Sequence, residues 1–410
     1  MDYLLVYVIN KYNKPLMPCK SSKARKLLKQ GKAKVIKRTP FTIQLLYGSS
    51  GYKQEINLGV DAGTKHIGLS ATTKEKVLFE ADMQLRIDIV NLLTTRKQNR
   101  RLRRNRKIRY RKARFLNRKK KKGWLAPSIQ HKVDSHVKII NFTYKILPVS
   151  KIIIELASFD IQKIKNQDIS GKEYQQGEQL DFWNVREYVL FRDNHTCQHC
   201  KGKSKDKILQ VHHKESRKTG GNSPDNLITV CKTCHENHHN NKITFNFKRN
   251  STFRDASHMN IMRWFIYDKV KDYYPQVKLT YGYITKTIRI NNNLEKSHII
   301  DARCISGNSL AKEDIIYLMK QVRKNNRRLH KSKILKGGIR KNNKSVRYVK
   351  DYQLFDKVLY NKQECFIFGR RISGQFDLRK LNGTIINRSV NYKKLKLLEC
   401  GNSMLIERNC

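Results

Sequence analysis

Two Cys-x-x-Cys pairs, Cys197-Gln-His-Cys200 and Cys231-Lys-Thr-Cys234, lie about thirty residues apart. Four thiolates at that spacing suit one tetrahedral zinc ion. A chemically different set is threaded between and after them: Val211-His212-His213-Lys214, then Asp225-Asn226-Leu227, then His235-Glu-Asn-His238-His239. His212 and His213 close a short apolar run, so on a strand their imidazoles point to opposite faces, one free to ligate a metal and the other to handle a proton. His235 and His239 are four apart. On a helix leaving the second knuckle they share a face and can join His212 around one divalent cation. Asn226 is expected to fix the loop and the orientation of His213. Seven of the thirteen histidines fall between positions 195 and 239, more than a purely structural zinc site needs. His195, His199 and His238 are read as surface or supporting residues.

Asp61, Glu155 and Asp301 form the second set. Ile56-Asn-Leu-Gly-Val-Asp61-Ala-Gly reads as an apolar strand delivering a carboxylate into a glycine-rich turn, with Ile67 to Ala71 as its paired strand. Lys151-Ile-Ile-Ile-Glu155 reads as a buried strand, where a lone carboxylate is costly unless paired or metal-bound. In Ser297-His298-Ile-Ile-Asp301 the histidine and aspartate share one face of a helix. Strand, strand and helix in this order follow the ribonuclease H-like pattern. Three acids can hold two Mg²⁺ ions about 4 Å apart for in-line attack on a phosphodiester, with His298 placed to activate the water.

Positioning these groups takes several segments. Residues 1–55 read as a small module: a strand at Leu4 to Ile9, a proline-bounded turn at Lys14 to Pro18, a basic helix from Ser22 to Gln30 ending at Gly31, and strands at Val35-Ile36 and Phe41 to Leu46. Residues 56–95 carry Asp61. From 96 to 122, 17 of 27 residues are Lys or Arg, and no acid occurs between Asp88 and Asp134. The composition predicts a helix that grips nucleic acid through Arg96, Arg100, Arg101, Arg103, Arg104, Arg106, Arg109 and Arg111. Residues 123–160 give an amphipathic helix (Ile129 to Ile146) and the Glu155 strand, and 161–181 a polar linker. Residues 182–247 form the Cys/His module, entered by a helix from Phe182 to Phe191. Residues 248–309 give a helix from Ala256 to Tyr274, a pair of strands across Val277 to Ile290, and the Asp301 helix. Residues 310–350 read as a basic linker, and 351–410 as a small β-barrel of short strands.

The chain has 410 residues, with Lys plus Arg at 87 against 33 acids, a net charge of +54. Such a charge repels itself and implies a bound polyanion, nucleic acid above all. No apolar run is long enough to span a bilayer, and the N-terminus has no signal-peptide pattern, which predicts a cytoplasmic, nucleoid-associated protein. Of nine cysteines, the five outside the knuckles (Cys19, Cys304, Cys365, Cys400, Cys410) have no framework spacing, consistent with a reducing compartment.

The order His-His, Asn, His-x-x-x-His within Cys-x-x-Cys knuckles resembles the HNH (ββα-metal) endonucleases. That resemblance implies that His213 is the general base and that His212, His235 and His239 hold one Mg²⁺. Over essentially the whole length the chain resembles the IscB family, transposon-encoded RNA-guided endonucleases related to the type II CRISPR effectors. The residues that carry it are Pro15-Leu-Met-Pro18, Gly59-Val-Asp61-Ala-Gly, the Arg-rich segment, Ile154-Glu155, the HNH set and His298-Ile-Ile-Asp301. The fold class it implies is multidomain α/β: a split RuvC-like nuclease of ribonuclease H fold with an inserted zinc-ribbon HNH module, an Arg-rich bridge helix and a C-terminal barrel that reads a flanking motif. The implied cofactors are two Mg²⁺ at the RuvC-like site, one at the HNH site, a structural Zn²⁺ and a guide RNA. The implied partners are an ωRNA and a double-stranded DNA target, bound by a protein monomer within a ribonucleoprotein. Two alternatives stay open on sequence: a nuclease that is not RNA-guided, of resolvase or homing type, and a nucleic-acid-binding protein without catalysis.

Overall fold

A computed structural model describes residues 5–104, 123–156, 179–215, 222–248, 254–311, 315–323 and 346–409. The chain divides into two units: Met1–Ser158 together with His258–Cys410, and Phe159–Ser257.

The larger unit opens with β1 (Leu5–Ile9), β2 (Pro15–Lys20), α1 (Ser21–Lys29), β3 (Ala33–Lys37) and β4 (Thr42–Leu45). These strands form a sheet of order β2-β1-β4-β3 around Val6, Val8, Leu16, Ala24, Ile43 and Leu45. The sequence predicts a turn at Lys14 to Pro18; the structure has strand β2 there. Pro15 is its first residue and β2 is an edge strand, so the missing proline N–H groups break no interior ladder.

The main sheet has seven strands: β5 (Asn57–Ala62), β6 (His66–Thr72), β7 (Val77–Gln84), β8 (Lys151–Glu155), β11 (Val277–Thr280), β12 (Ile316–Gln321) and β18 (Met404–Asn409). Their order is β11-β8-β5-β6-β7-β12-β18. β5, β6 and β7 form an antiparallel meander, while β8 and then β11 add in parallel on the other side of β5. Near-continuous apolar runs fit strands buried on both faces, and Leu58, Val60, Ile67, Leu69, Ile152 and Ile154 are fully buried. One face is packed by α3 (Pro127–Ile146) and α6 (Arg254–Tyr273), through residues such as Val133, Ile139, Ile140, Met262, Ile266 and Val270.

The two helices α7 (Gly282–Asn291) and α8 (His298–Ser306) follow β11. Only Val277–Thr280 of the expected strand pair is a strand. The rest is α7, whose Thr285 is buried and bonded to Glu155; a tertiary contact has overridden the β preference of Ile284, Thr285, Thr287, Ile288 and Ile290.

The boundaries around 310–350 and 351–410 are also corrected. β12 lies inside the expected basic linker, and the last strand, β18, leaves the C-terminal domain to pair antiparallel with β12. Strands β13 (Lys357–Tyr360), β14 (Gln363–Arg370), β15 (Gln375–Arg379), β16 (Ile385–Asn391) and β17 (Lys396–Glu399) form an antiparallel sheet of order β16-β15-β14-β13-β17. β16 and β17 share no ladder among the described residues, so there the sheet is open where a closed barrel was expected. α2 (Ile89–Arg104) covers the first part of the Arg-rich segment, with Arg96, Arg100, Arg101, Arg103 and Arg104 on it. The remainder, with Arg106, Arg109 and Arg111, lies outside the described residues.

The smaller unit contains α4 (Val185–Arg192), β9 (Leu209–His213), β10 (Leu227–Cys231) and α5 (Lys232–His239). β9 and β10 form a two-stranded antiparallel ribbon. Its core is small: the four knuckle cysteines with Ile228 and Val230, packed by Leu209, Ile243, Phe245 and Phe247.

Candidate active sites

The first site sits at the ends of β5 and β8. Their parallel register sets Asp61 directly beside Glu155. α8 approaches so closely that a Cβ on Gly68 would lie 1.8 Å from the His298 carbonyl oxygen, and one on Gly59 would lie 2.0 Å from that of Ala302. Only glycine lets the helix backbone reach the sheet there. The seat is fixed by a buried ion pair: Arg303 donates to both Glu80 oxygens at 2.7 and 2.8 Å, and Ser70 donates to Oε1 at 3.0 Å. Ser297 caps the helix by accepting from Ile300 N–H at 3.1 Å. As a result His298 Nδ1 comes within 2.6 Å of Asp61 Oδ2, and Asp301 stands one turn further on.

Each carboxylate has a partner of its own. Thr285 donates to Glu155 Oε2 at 2.5 Å, and Arg289 Nε lies 3.2 Å from Asp301 Oδ1. That last approach lacks hydrogen-bond geometry, and both atoms are buried without a hydrogen-bond partner. Burial holds the Glu155 carboxyl above its ordinary value; the Thr285 bond opposes this, and the charges of Asp61 and Asp301 add to it. Burial and then Asp61 likewise raise Asp301, against Arg289. His298 is raised mainly by its bond to Asp61. Mutually repelling acids with unused acceptor capacity suit a cation site. Among the described residues, two sets have ligand atoms that all fall within 4.8 Å of one another: the four knuckle cysteines, and His212 with His235 and His239. Asp61, Glu155 and Asp301 spread more widely. Divalent cations held there would neutralise the charge that builds on a phosphodiester under attack.

The second site is in the smaller unit. Cys197, Cys200, Cys231 and Cys234 converge, with Cys200 Sγ 3.9 Å from Cys231 Sγ, close to the edge of roughly 3.8 Å that a tetrahedron of 2.3 Å Zn–S bonds requires. His212, His235 and His239 form a second cluster, with the Nε2 atoms of His235 and His239 3.2 Å apart. That separation of the two nitrogens suits ligands of a shared cation. Burial and the neighbouring imidazoles push His212 down to about 4, so it is neutral and ready to ligate near pH 7. His213 lies on the opposite face of β9, where its Nε2 meets Asn222 Oδ1 at 3.1 Å. With Nε2–H donating to that amide oxygen, the Nδ1 lone pair is left to accept a proton.

Asn226 is fully buried. Its side chain accepts from Glu215 N–H at 2.9 Å and donates to Glu215 O at 3.2 Å, so it pins the chain two residues beyond His213. The ring itself is held by Asn222, which the sequence reading did not single out. Arg192 ties α4 to this loop by donating to the carbonyls of Pro224 and Leu227 at 2.7 and 2.9 Å.

His238, read as a surface or supporting residue, stacks on Phe245 at 4.2 Å and 16° and packs against His212, so it backs the histidine cluster. Other supporting groups escaped the sequence. At the first site the additions are Thr285, Arg289 and a second histidine–aspartate couple, His66 Nδ1 to Asp82 Oδ1 at 3.0 Å, with His66 stacked on His298 at 5.6 Å and 4°. The available signal was Gly63-Thr-Lys-His66, a polar side chain placed just after the Asp61 turn.

Residues 197–241 match the family model described as HNH endonuclease. The chain carries an HNH endonuclease domain. Such a domain is a metal-dependent, DNA-cleaving hydrolase, and His212, His235 and His239 are close enough together to hold one metal ion. Residues 6–177 match the family model described as RRXRR protein. No curated protein matches the chain. Among solved structures it is similar to Streptococcus thermophilus Cas9 in complex with the AGAA, GGAA and AGGA PAM, at 12%, 13% and 14% identity. Each overlap has a TM-score of 0.32 and covers 62% of this chain and 32% of that one. The chain thus spans about a third of the length of those proteins, and a likeness at that level fixes neither fold nor function. No helix among the described residues is long and apolar enough to cross a membrane.

Proposed function

We propose that the chain is an RNA-guided double-strand DNA endonuclease of the IscB type, with one nuclease centre for each strand. The HNH site cuts the guide-paired strand, with His213 as general base and a cation on His212, His235 and His239. The second centre, Asp61, Glu155, His298 and Asp301 on a RuvC-like sheet, cuts the displaced strand. Target choice comes from pairing with an ωRNA, together with a short flanking motif read by the C-terminal domain.

The observation that carries this reading is a second, chemically distinct cluster of acids with a histidine in a chain that already holds an HNH domain. Asp61 and Glu155 sit in register on parallel strands, with His298 on Asp61. The antiparallel meander extended in parallel on its other side is the arrangement expected of a ribonuclease H-like nuclease. The RRXRR match over residues 6–177 and the net charge of +54 agree with a large nucleic-acid load.

The test is to purify the protein from cells carrying the gene with its native flanking DNA and to sequence the RNA that accompanies it. One abundant structured RNA encoded beside the gene, able to direct cutting of a matching duplex, is the expected result. Heterogeneous host RNA with unguided cutting would replace this reading with that of an unguided nuclease.

A further inference from the structure

Beside the carboxylate centre stand two aromatic rings that the chemistry above does not use. Tyr281 and Tyr283 are 56% and 70% exposed, with ring centroids 6.1 Å apart and planes within 13° of parallel. They flank Gly282, where a Cβ would lie 2.9 Å from Glu155 Oε1. The backbone between the two rings therefore touches a carboxylate of the site, and any side chain there would intrude on it.

Single exposed tyrosines need no explanation. A near-parallel pair straddling a glycine that abuts a nuclease carboxylate is different, because it sets π-faces within a nucleotide's reach of the reacting position. Duplex bases have both faces covered by their neighbours, whereas unpaired bases have faces to offer, and stacking on aromatic side chains is how single strands are held without regard to sequence. The surrounding charge fits the same ligand: Lys278 and Lys286 are exposed on β11 and α7, and Arg289 and Lys296 act on Asp301 from nearby. An apolar protein segment would find no complement in that charge.

Resting on the two-centre reading above, we propose that Tyr281 and Tyr283 form a stacking platform for unpaired bases of the strand cut at the Asp61–Glu155 centre, and so position its scissile phosphate.

The experiment uses the full chain purified with its RNA and a guide-matched DNA duplex labelled on each strand. Tyr281→Ala and Tyr283→Ala should each slow single-turnover cutting of the displaced strand about tenfold, and the Phe variants should restore it, since stacking needs the ring and not the hydroxyl. Cutting of the paired strand should stay unchanged, which controls for folding and RNA loading. An abasic residue beside the displaced-strand cut should slow the wild type but slow Tyr281→Ala or Tyr283→Ala no further. If the Ala variants cut the displaced strand at the wild-type rate, or the Phe variants are as slow as Ala, the platform is overturned while the two-centre reading stands. If wild-type protein makes no Asp61-dependent cut, the two-centre reading fails and takes the platform with it.

Discussion

His298 bonded to Asp61 at 2.6 Å and Arg289 set against Asp301 at 3.2 Å show how a cluster of acids stays folded before it meets a cation. Asp61 and Asp301 each face a basic side chain, whereas Glu155, among the described residues, has only the neutral hydroxyl of Thr285. Across the chain, His213 has a different environment, held by Asn222 and shielded from the His212 cluster by the pleat of β9. The two centres share no described residue, so they should fail separately. Asp61→Ala or Glu155→Ala should leave a nickase of the guide-paired strand. His213→Ala should leave a nickase of the other strand, its own cut reduced by about 10²–10⁴-fold for loss of a general base. Strand-specific labels on a denaturing gel check both, and loss of both cuts from one change would show that the centres are not independent. Asp61, Glu155, His212, His213 and the cysteines were legible because their neighbours impose a period: an apolar strand around an acid, or fixed Cys and His spacings. Asn222, Thr285 and Arg289 were not, because a polar residue on a loop or helix carries no mark of what it will face.

The decisive element of the first centre is α8, whose place depends on absent side chains at Gly59 and Gly68 and on the buried Arg303–Glu80 pair. Gly68→Ala puts a methyl 1.8 Å from the His298 carbonyl, an overlap that moves the helix, at a cost on the order of 1–3 kcal/mol. His298 and Asp301 move with it. Displaced-strand cutting should therefore fall more than tenfold while paired-strand cutting persists; equal rates for both strands in the variant would mean that α8 tolerates the shift. The second centre depends on metal in another way. The core behind β9, β10 and α5 is mostly cysteine with Ile228 and Val230, too little apolar surface to hold a ribbon and a helix unaided. Cys197→Ser should unfold this module, seen as lost zinc content and new protease cleavage within residues 182–247; retained zinc in a protease-resistant module would remove the cysteines from that role. These elements also mark the limit of sequence reading. The α7 segment is rich in β-branched residues and reads as strand until Thr285 is seen under Glu155, and β12 and β18 read as a linker and a barrel strand because the pairing that unites them spans some eighty residues.

At the scale of the molecule, the N-terminal module is fastened to the main sheet and to the C-terminal domain of the same unit. Tyr7 donates to Leu78 O at 2.9 Å, Thr39 N–H donates to Glu399 at 2.8 Å, and Lys357 bonds both Thr39 Oγ1 at 2.8 Å and Glu364 at 2.7 Å. Lys37 lies in the same seam, its ammonium 3.9 Å over the Phe142 ring. In a chain with so many exposed cations, this one is largely buried, and burial pushes it down to about 8 despite the opposing pull of Glu399. The direction of the resulting pH dependence follows from proton counting. Below about pH 8 the lysine is charged whether the chain is folded or unfolded, and folding bears the full cost of burying that charge. Between about 8 and 10.5 the unfolded chain holds the proton that the folded chain has lost, so stability rises with pH through that window. Lys37→Met removes the charge while keeping the apolar stem against Phe142. At pH 7 it should stabilise the protein by on the order of 1–3 kcal/mol, less what the contact with the ring contributes. Thermal melts at pH 7 and pH 10 should show a clear gain at the lower pH that largely disappears at the higher. A gain independent of pH would mean that folding does not change the proton affinity of Lys37, so that burial of its charge is not the source of the gain, and a loss at pH 7 would mean that Glu399 and Phe142 outweigh the burial.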